Sequence, residues 1–339
     1  MRLTKRGKLK RQKSLIILGT FSMLLFFSIG YAAFSTTIRL NAKGNVHPPV
    51  IYTVDDLKAT ALTGGTEDGL YEDNSEGIKR YIYKGTNDVK NYIKLKENNT
   101  DVLYRIYSLE DDGTVKVVRN EAVTSMSFDV DDETRRNGGY CTGSFCNAWA
   151  AMTGFINGSL TGDVVGLNGN SGDSSAKEYI DGTFSNTLDD YNKIVTKTWN
   201  ISGTGYNNDS LSNTIIDEKK STWNGKIALL TASEYVRGNS NTTLCGTLKL
   251  FRSNSSTCQT TNYLITSSAW WLLTPINSSI SGLTTFSNGL VNYQLSKVEY
   301  GIRPSFYLCS GLTYKGDGTS TKPYEIAGGS CIPQQQNGS

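Results

Sequence analysis

From Ser14 to Ile38 the chain has no charged residue, and seven cations precede that run: Arg2, Lys5, Arg6, Lys8, Lys10, Arg11 and Lys13. This pairing constrains the fold more than any other feature, because it decides which solvent the rest of the chain meets. The apolar centre, Leu15 to Phe27, has the length of a signal-peptide core; counted through Phe34, the segment reaches the roughly twenty residues that a bilayer needs. A cationic flank on the amino side keeps the tail inside and sends the remainder outside. Gly30-Tyr31-Ala32 offers the small residues of a cleavage site, so the segment is either removed after Ala32 or retained as a single transmembrane helix. The expected division is a basic cytosolic tail (1–13), a signal peptide or membrane helix (14–38), a linker (39–67), an extracellular domain (68–327) and a disordered tail (328–339).

The charge balance follows from the same feature. The whole chain is formally +3, but without the first thirteen residues 27 basic face 31 acidic side chains. The positive charge is local, and nucleic acid is not an expected partner. All six cysteines, Cys141, Cys146, Cys245, Cys258, Cys309 and Cys331, follow the apolar segment and so face a non-cytosolic space. Six cysteines allow fifteen pairings. Their arrangement in neighbouring couples favours the short loops 141–146, 245–258 and 309–331. Zinc is not expected, because the only histidine, His47, lies in the linker and no CxxC pair occurs.

Past the linker, whose stiff point is His47-Pro48-Pro49 and which contains a short amphipathic piece at Val54–Leu62, the pattern becomes that of strands. YIYKG (Tyr81–Gly85) and YIKLK (Tyr92–Lys96) alternate. VLYRIYSL (Val102–Leu109) and TVKVVRN (Thr114–Asn120) flank Asp111-Asp112-Gly113, which is a hairpin signal. Asn137 to Ser175 reads as long loops with a short helix near Ala148–Ile156. Ser175–Leu188 and Leu188–Thr198 read as helices, the second from Leu188, Tyr191, Ile194 and Val195 on one face. GKIALLTASEYVR (Gly225–Arg237) reads as an apolar strand with Ser233 capping a helix. Then come AWWLLTPI (Ala269–Ile276), a polar hairpin region to Gln294, YGIRPSFYL (Tyr300–Leu308), and GDGTSTKPYEI (Gly316–Ile326) as a turn into a last strand. Gly, Ser, Thr and Asn abound, and tyrosine (19) outnumbers phenylalanine (11). That suits half-wet sheets and long loops, since the tyrosine ring has one polar end.

The run GYAAFSTTIRLNAKGNV (Gly30–Val46) resembles the leader of many Gram-positive surface proteins. The order DGLY (Asp68–Tyr71), YIYKG, VLYRIYS, DGTVKVVRNE, TWNGKIALLTASEY (Thr222–Tyr235), spaced Cys245 and Cys258, NYLITSSAWWLLTP (Asn262–Pro275), YGIRPSFYL and GDGT…PYEI resembles a domain-of-unknown-function family of such proteins. That family is related to the formylglycine-generating, sulfatase-modifying fold, which is C-type-lectin-like. The resemblance covers roughly 68–327. It implies an α+β domain with irregular antiparallel sheets and long loops, its two ends close together. It also implies that the WWLLTP and GIRP segments meet in the centre. Trp270, Trp271 and Arg303 are then either core or the lining of a ligand site, with Arg303 fixing backbone carbonyls or an acidic group.

The oxidases of that fold hold copper with a cysteine pair shortly before a GFR-type segment. Cys141 and Cys146 have a C-x4-C spacing, but they lie far upstream of Tyr300, and the thirty residues before Gly301 contain no cysteine. A disulfide loop is the expectation, and catalytic residues are expected nowhere. A Ser-His-Asp triad would have to recruit His47. Acidic stretches such as Asp129–Glu133 read as solvated turns, with calcium the one cation they could hold and no other cofactor expected. Walker and dinucleotide glycine patterns are absent. The expected function is therefore binding or adhesion at the cell surface toward a glycan or a surface protein. A matrix or fibre component is the alternative, and a formylglycine-generating-type oxidase comes third. The expected place is the cell membrane, or the exterior if the leader is cleaved.

Overall fold

The computed structural model describes residues 49–129, 147–150, 173–205, 207–276, 281–285 and 290–333. The basic tail, the apolar segment, Cys141, Cys146, most of the acidic stretch at 129–133 and most of the helix expected near 148–156 lie outside them. Among the described residues no helix is long and apolar enough to cross a membrane.

The chain enters through strand β1 (Ile51–Tyr52) and helix α1 (Val54–Lys58). It continues through β2 (Gly69–Asp73), β3 (Arg80–Lys84), β4 (Tyr92–Glu97), β5 (Thr100–Glu110), β6 (Val115–Arg119) and β7 (Thr124–Ser127). After the short helix α2 (Ser175–Glu178) come β8 (Ile194–Val195), β9 (Lys197–Asn200), α3 (Leu211–Glu218), β10 (Thr222–Gly225), β11 (Ile227–Ala228) and α4 (Ala232–Arg237). Three short helices follow, α5 (Thr242–Cys245), α6 (Leu248–Ser253) and α7 (Ser255–Thr260). The remainder is strand: β12 (Trp270–Pro275), β13 (Ser281–Thr285), β14 (Val291–Leu295), β15 (Glu299–Ile302), β16 (Ser305–Leu308), β17 (Leu312–Lys315) and β18 (Glu325–Gly329).

The described chain is thus mostly sheet with few, short helices. The larger sheet has the order β11-β16-β6-β5-β3-β2, with β4 on β5 and β8 on β16; a second runs β14-β13-β12-β15-β7. The expected hairpin is present: β5 and β6 pair Leu109 with Val115, and Gly113 takes a φ of 79° in the turn between them. Neighbouring strands within both sheets run antiparallel except β12 and β15, which meet in parallel at Trp270 and Gly301. Gly301 is required there. A Cβ at that position would stand 2.7 Å from the Ala122 side chain and 3.2 Å from that of Trp270.

The structure corrects four expectations. The linker is shorter than expected, because β1 pairs with β17 and α1 buries Val54 and Leu57 in the domain core. The tail likewise begins later than expected, since Glu325–Gly329 pairs with β17. The helix expected over 188–198 is a single 3-10 turn, Tyr191–Lys193, followed by β8 and β9. Its residues Ile194, Val195, Thr196 and Thr198 are β-branched, and such side chains pack better on a pleated surface than on a helix. The cap of α4 is Thr231, not Ser233: Thr231 and Glu234 form a reciprocal capping box. Ser233 turns inward instead, onto Glu218.

Two disulfides staple the domain. Cys245–Cys258 ties α5 to α7, and Cys309–Cys331 ties the end of β16 to the last described residues. Formed bridges fit a domain outside the reducing cytosol.

Candidate functional site

The two adjacent tryptophans of β12 point to opposite faces of their strand, as a two-residue period requires. Both faces are covered, and neither indole is exposed. Trp271 donates from Nε1 to the Met126 carbonyl at 3.1 Å and meets Phe128 and Tyr300 edge-on, with ring centroids 5.7 and 5.4 Å away. Trp270 packs on Tyr235 at 5.7 Å, and the Arg303 guanidinium lies over its ring at 4.5 Å. The double tryptophan therefore joins two packed layers. A ligand would have to be met by loop residues outside these rings.

Arg303 is equally buried. Its Nε donates to the Arg119 carbonyl at 3.0 Å and its Nη1 to the Leu264 carbonyl at 2.5 Å. Among the described residues no carboxylate lies within ion-pairing distance, and Nη2 has no hydrogen-bond partner. Burial pulls its pKa down to about 10. The second buried arginine of this kind is Arg105 on β5. It stacks on Tyr92 at 3.5 Å and donates to the carbonyls of Val89 and Asn87 and to the Asn87 side chain. Burial brings Arg105 to about 10 as well. The composition offers no signal for this pair; only the fold sets Arg105 and Arg303 in mutual repulsion.

Residues that contact or adjoin the partners of these two arginines line an open cavity of about 410 Å³. Asn87 and Tyr92 form one wall, Asn120 and Glu121 a second, and Gln259 with Ile265, Thr266 and Ser267 the third. Each wall includes a residue that contacts an arginine or directly follows one of its carbonyl partners. Asn87 and Tyr92 contact Arg105, Asn120 follows the Arg119 carbonyl, and Ile265 follows the Leu264 carbonyl. The lining is mostly neutral and hydrogen-bonding, and it comes from the β3–β4 connection and the start of β4, the residues just after β6, α7 and the segment before β12.

A second cavity, about 190 Å³, opens beside an ion network in the larger sheet. Arg80 pairs with Glu76 at 3.2 Å and with Glu110 at 3.5 Å, and Arg237 pairs with Glu76 at 2.5 Å and Asp73 at 3.4 Å. Lys116 pairs with Glu234, with its ammonium 4.4 Å from the centre of the Trp199 ring. Burial alone would raise the Glu76 carboxyl, but Arg237 and Arg80 outweigh it and hold the group at about 2. The charges here satisfy one another, so this network reads as a brace between β2, β3, β6 and α4. Behind it, Glu218 is fully buried and accepts from the Ser233 amide and hydroxyl and from the Thr274 hydroxyl, the last at 2.7 Å. Burial drives this carboxyl up to about 7 against those hydrogen bonds.

No cluster of metal-ligating side chains forms among the described residues. A family model described as "Domain of unknown function (DUF6273)" matches residues 168–310. The match takes in both tryptophans, Arg303, Cys245, Cys258 and the Gln259–Ser267 wall of the larger cavity, while Asn87, Tyr92, Arg105 and Glu121 lie before it. No curated protein and no solved structure matches the chain.

Proposed function

We propose that the domain is a non-catalytic binding module displayed outside the cell, recognising a glycan or a surface protein through the cavity beside the partners of Arg105 and Arg303. One observation carries this reading: the cavity walls are mostly loop residues with adaptable polar side chains, and they stand on a core whose aromatic and cationic members are locked. Loops on a rigid frame are where recognition concentrates, because they vary without cost to the core. Tyr, Asn, Ser and Thr make adaptable contacts at low entropic cost. In this reading the frame is the lectin-like, sulfatase-modifying-factor-like domain that the motif order implies. The basic tail and apolar segment deliver it across the membrane, and the disulfides preserve it there.

The test is an array of glycans and surface proteins probed with the full oxidised chain beside a Ser267→Trp variant. Ser267 is exposed on the cavity wall. An indole there fills the cavity without disturbing the core. Reproducible binding by the parent chain, lost in the still-folded variant, supports the reading. Binding that survives the variant places recognition elsewhere. Concentration-dependent fibres with no ligand on the array would instead make the chain a matrix component.

A further inference from the structure

Burying a guanidinium without a counter-charge is unfavourable, since it gives up hydration and receives only dipoles in exchange. This domain does so twice at one place. Arg105 and Arg303 are both fully buried. Three other arginines, Arg80, Arg119 and Arg237, have carboxylate partners in the same structure. The fold therefore supplies acids to other arginines and supplies none, within pairing distance among the described residues, to these two. Their hydrogen bonds go to the carbonyls of Asn87, Val89, Arg119 and Leu264. Each guanidinium is thus fixed, charged and unable to swing away. The acids that reach Arg105 through space, Asp68 and Asp88, are exposed, as is Glu121 near Arg303. Water screens an exposed carboxylate far more than it screens a buried cation.

Two fixed positive charges below a low-dielectric floor focus their field at the nearest opening. One opening borders both: neither arginine lines the cavity of about 410 Å³, but its wall residues Asn87 and Tyr92 contact Arg105, and its wall residues Asn120 and Ile265 directly follow the carbonyls that hold Arg303. The Arg105 Nη2 points to Asn87 on its rim at 3.2 Å. The Nη2 of Arg303 keeps an unused donor. The mostly neutral lining adds hydrogen-bonding groups around this opening. From this arrangement we infer that the cavity takes an oxyanion: the carboxylate, sulfate or phosphate group of an acidic ligand, a uronic-acid-type sugar being one that its size admits. This inference rests on the cavity being the binding site and goes on to name the ligand's charge. Glu121 is the one acid in the lining, and it sets how strongly the cavity attracts anions. Its carboxylate accepts from the Asn120 side chain at 3.2 Å, which holds it at the rim.

The experiment titrates the full oxidised chain with glucuronate, glucose and sulfate at matched ionic strength. It follows heat and the Nε–H resonances of Arg105 and Arg303. Glucuronate is expected to bind roughly tenfold or more tighter than glucose, with sulfate competing, the factor expected for one charge acting over several ångströms in a partly desolvated site. Two exposed substitutions tune the field and leave the core alone. Asn87→Asp sets a carboxylate against Arg105 and is expected to weaken glucuronate about tenfold. Glu121→Gln removes the rim acid and is expected to strengthen it a few-fold. Both residues line the cavity, so the readout is the ratio of glucuronate to glucose affinity: uncharged glucose should respond to either substitution far less than glucuronate does. Glucuronate no tighter than glucose, or glucuronate affinity indifferent to both substitutions, overturns the inference. Glucose or an array ligand binding at the cavity while glucuronate and sulfate do not overturns only the anion assignment. No ligand at the cavity at all overturns the binding reading beneath it.

Discussion

Removing the negative partner of Lys116 should cost far more than removing the pair. Lys116 and Glu234 are 2 and 6 % exposed at the side chain, and they bridge β6 to α4. Glu234 has a second task, because its other oxygen accepts from the Thr231 amide at 3.0 Å in the capping box. Glutamine serves that task as well as glutamate. Glu234→Gln therefore removes the charge and keeps the cap. It leaves a buried ammonium between Trp199 and Tyr307, whose ring centres lie 4.4 and 5.0 Å away, with Arg80 repelling it. Breaking a buried pair by one partner costs about 3–5 kcal/mol. Ring faces recover about 1 kcal/mol of that, so about 2–4 kcal/mol should remain. Lys116→Met keeps the stem against Trp199 but strands the Glu234 carboxylate, and about 3 kcal/mol is expected, because Arg237 still attracts Glu234. The double variant carries no stranded charge and should lose only about 1–2 kcal/mol, a coupling of about 3 kcal/mol or more. Urea unfolding of the oxidised chain and its three variants measures all four corners. Additivity within about 0.5 kcal/mol would refute the brace.

Three further outcomes follow from the same structure. The Glu218 carboxyl titrates at about 7 when folded, against an ordinary 4.5, so the folded state binds the extra proton. Its contribution is present below pH 4.5 and lost as pH rises through 7, on the order of 3 kcal/mol; stability measured across that range should therefore fall more for the parent chain than for Glu218→Gln, and parallel profiles would contradict this. Replacing Cys245 and Cys258 by serine opens a bridge spanning 13 residues, and thermal unfolding should show a loss of about 3 kcal/mol. Trp271→Ala removes a ring that is fully buried between Phe128 and Tyr300, and denaturant titration should show a loss of about 3–5 kcal/mol.

The parts of the fold that declare themselves locally are legible in the amino-acid order alone. The β5–β6 hairpin has two alternating runs and a glycine turn, so its register is set within about twenty residues. The cysteine couples 245–258 and 309–331 close short loops, and short loops are the easiest to pair. The β8–β9 region misleads because Leu188, Tyr191, Ile194 and Val195 fit a helical face as well as they fit a half-buried strand. Only pairing with β16 and β10 decides between them. The ends mislead for a similar reason: Ile51–Tyr52 and Glu325–Gly329 are strands only because β17 lies between them. The site is least legible of all. Trp270, Trp271 and Arg303 stand out in the sequence, yet each is core. Asn87, Tyr92 and Glu121 are ordinary in composition and become a cavity only when the β3–β4 connection and the end of β6 bring them to the Gln259–Ser267 wall. A charge without a partner cannot be seen in a sequence, because the partner's absence is a fact of three dimensions.

The measurement that tests the account most directly sets Ser267→Trp beside Trp271→Ala on one ligand array, with binding expressed per folded molecule. Ser267→Trp should fold with the parent's stability and lose binding, while Trp271→Ala should be destabilised and its folded fraction should still bind. The reverse pattern, a stable Trp271→Ala chain that no longer binds beside a Ser267→Trp chain that does, would make the double tryptophan the binding surface and contradict the account.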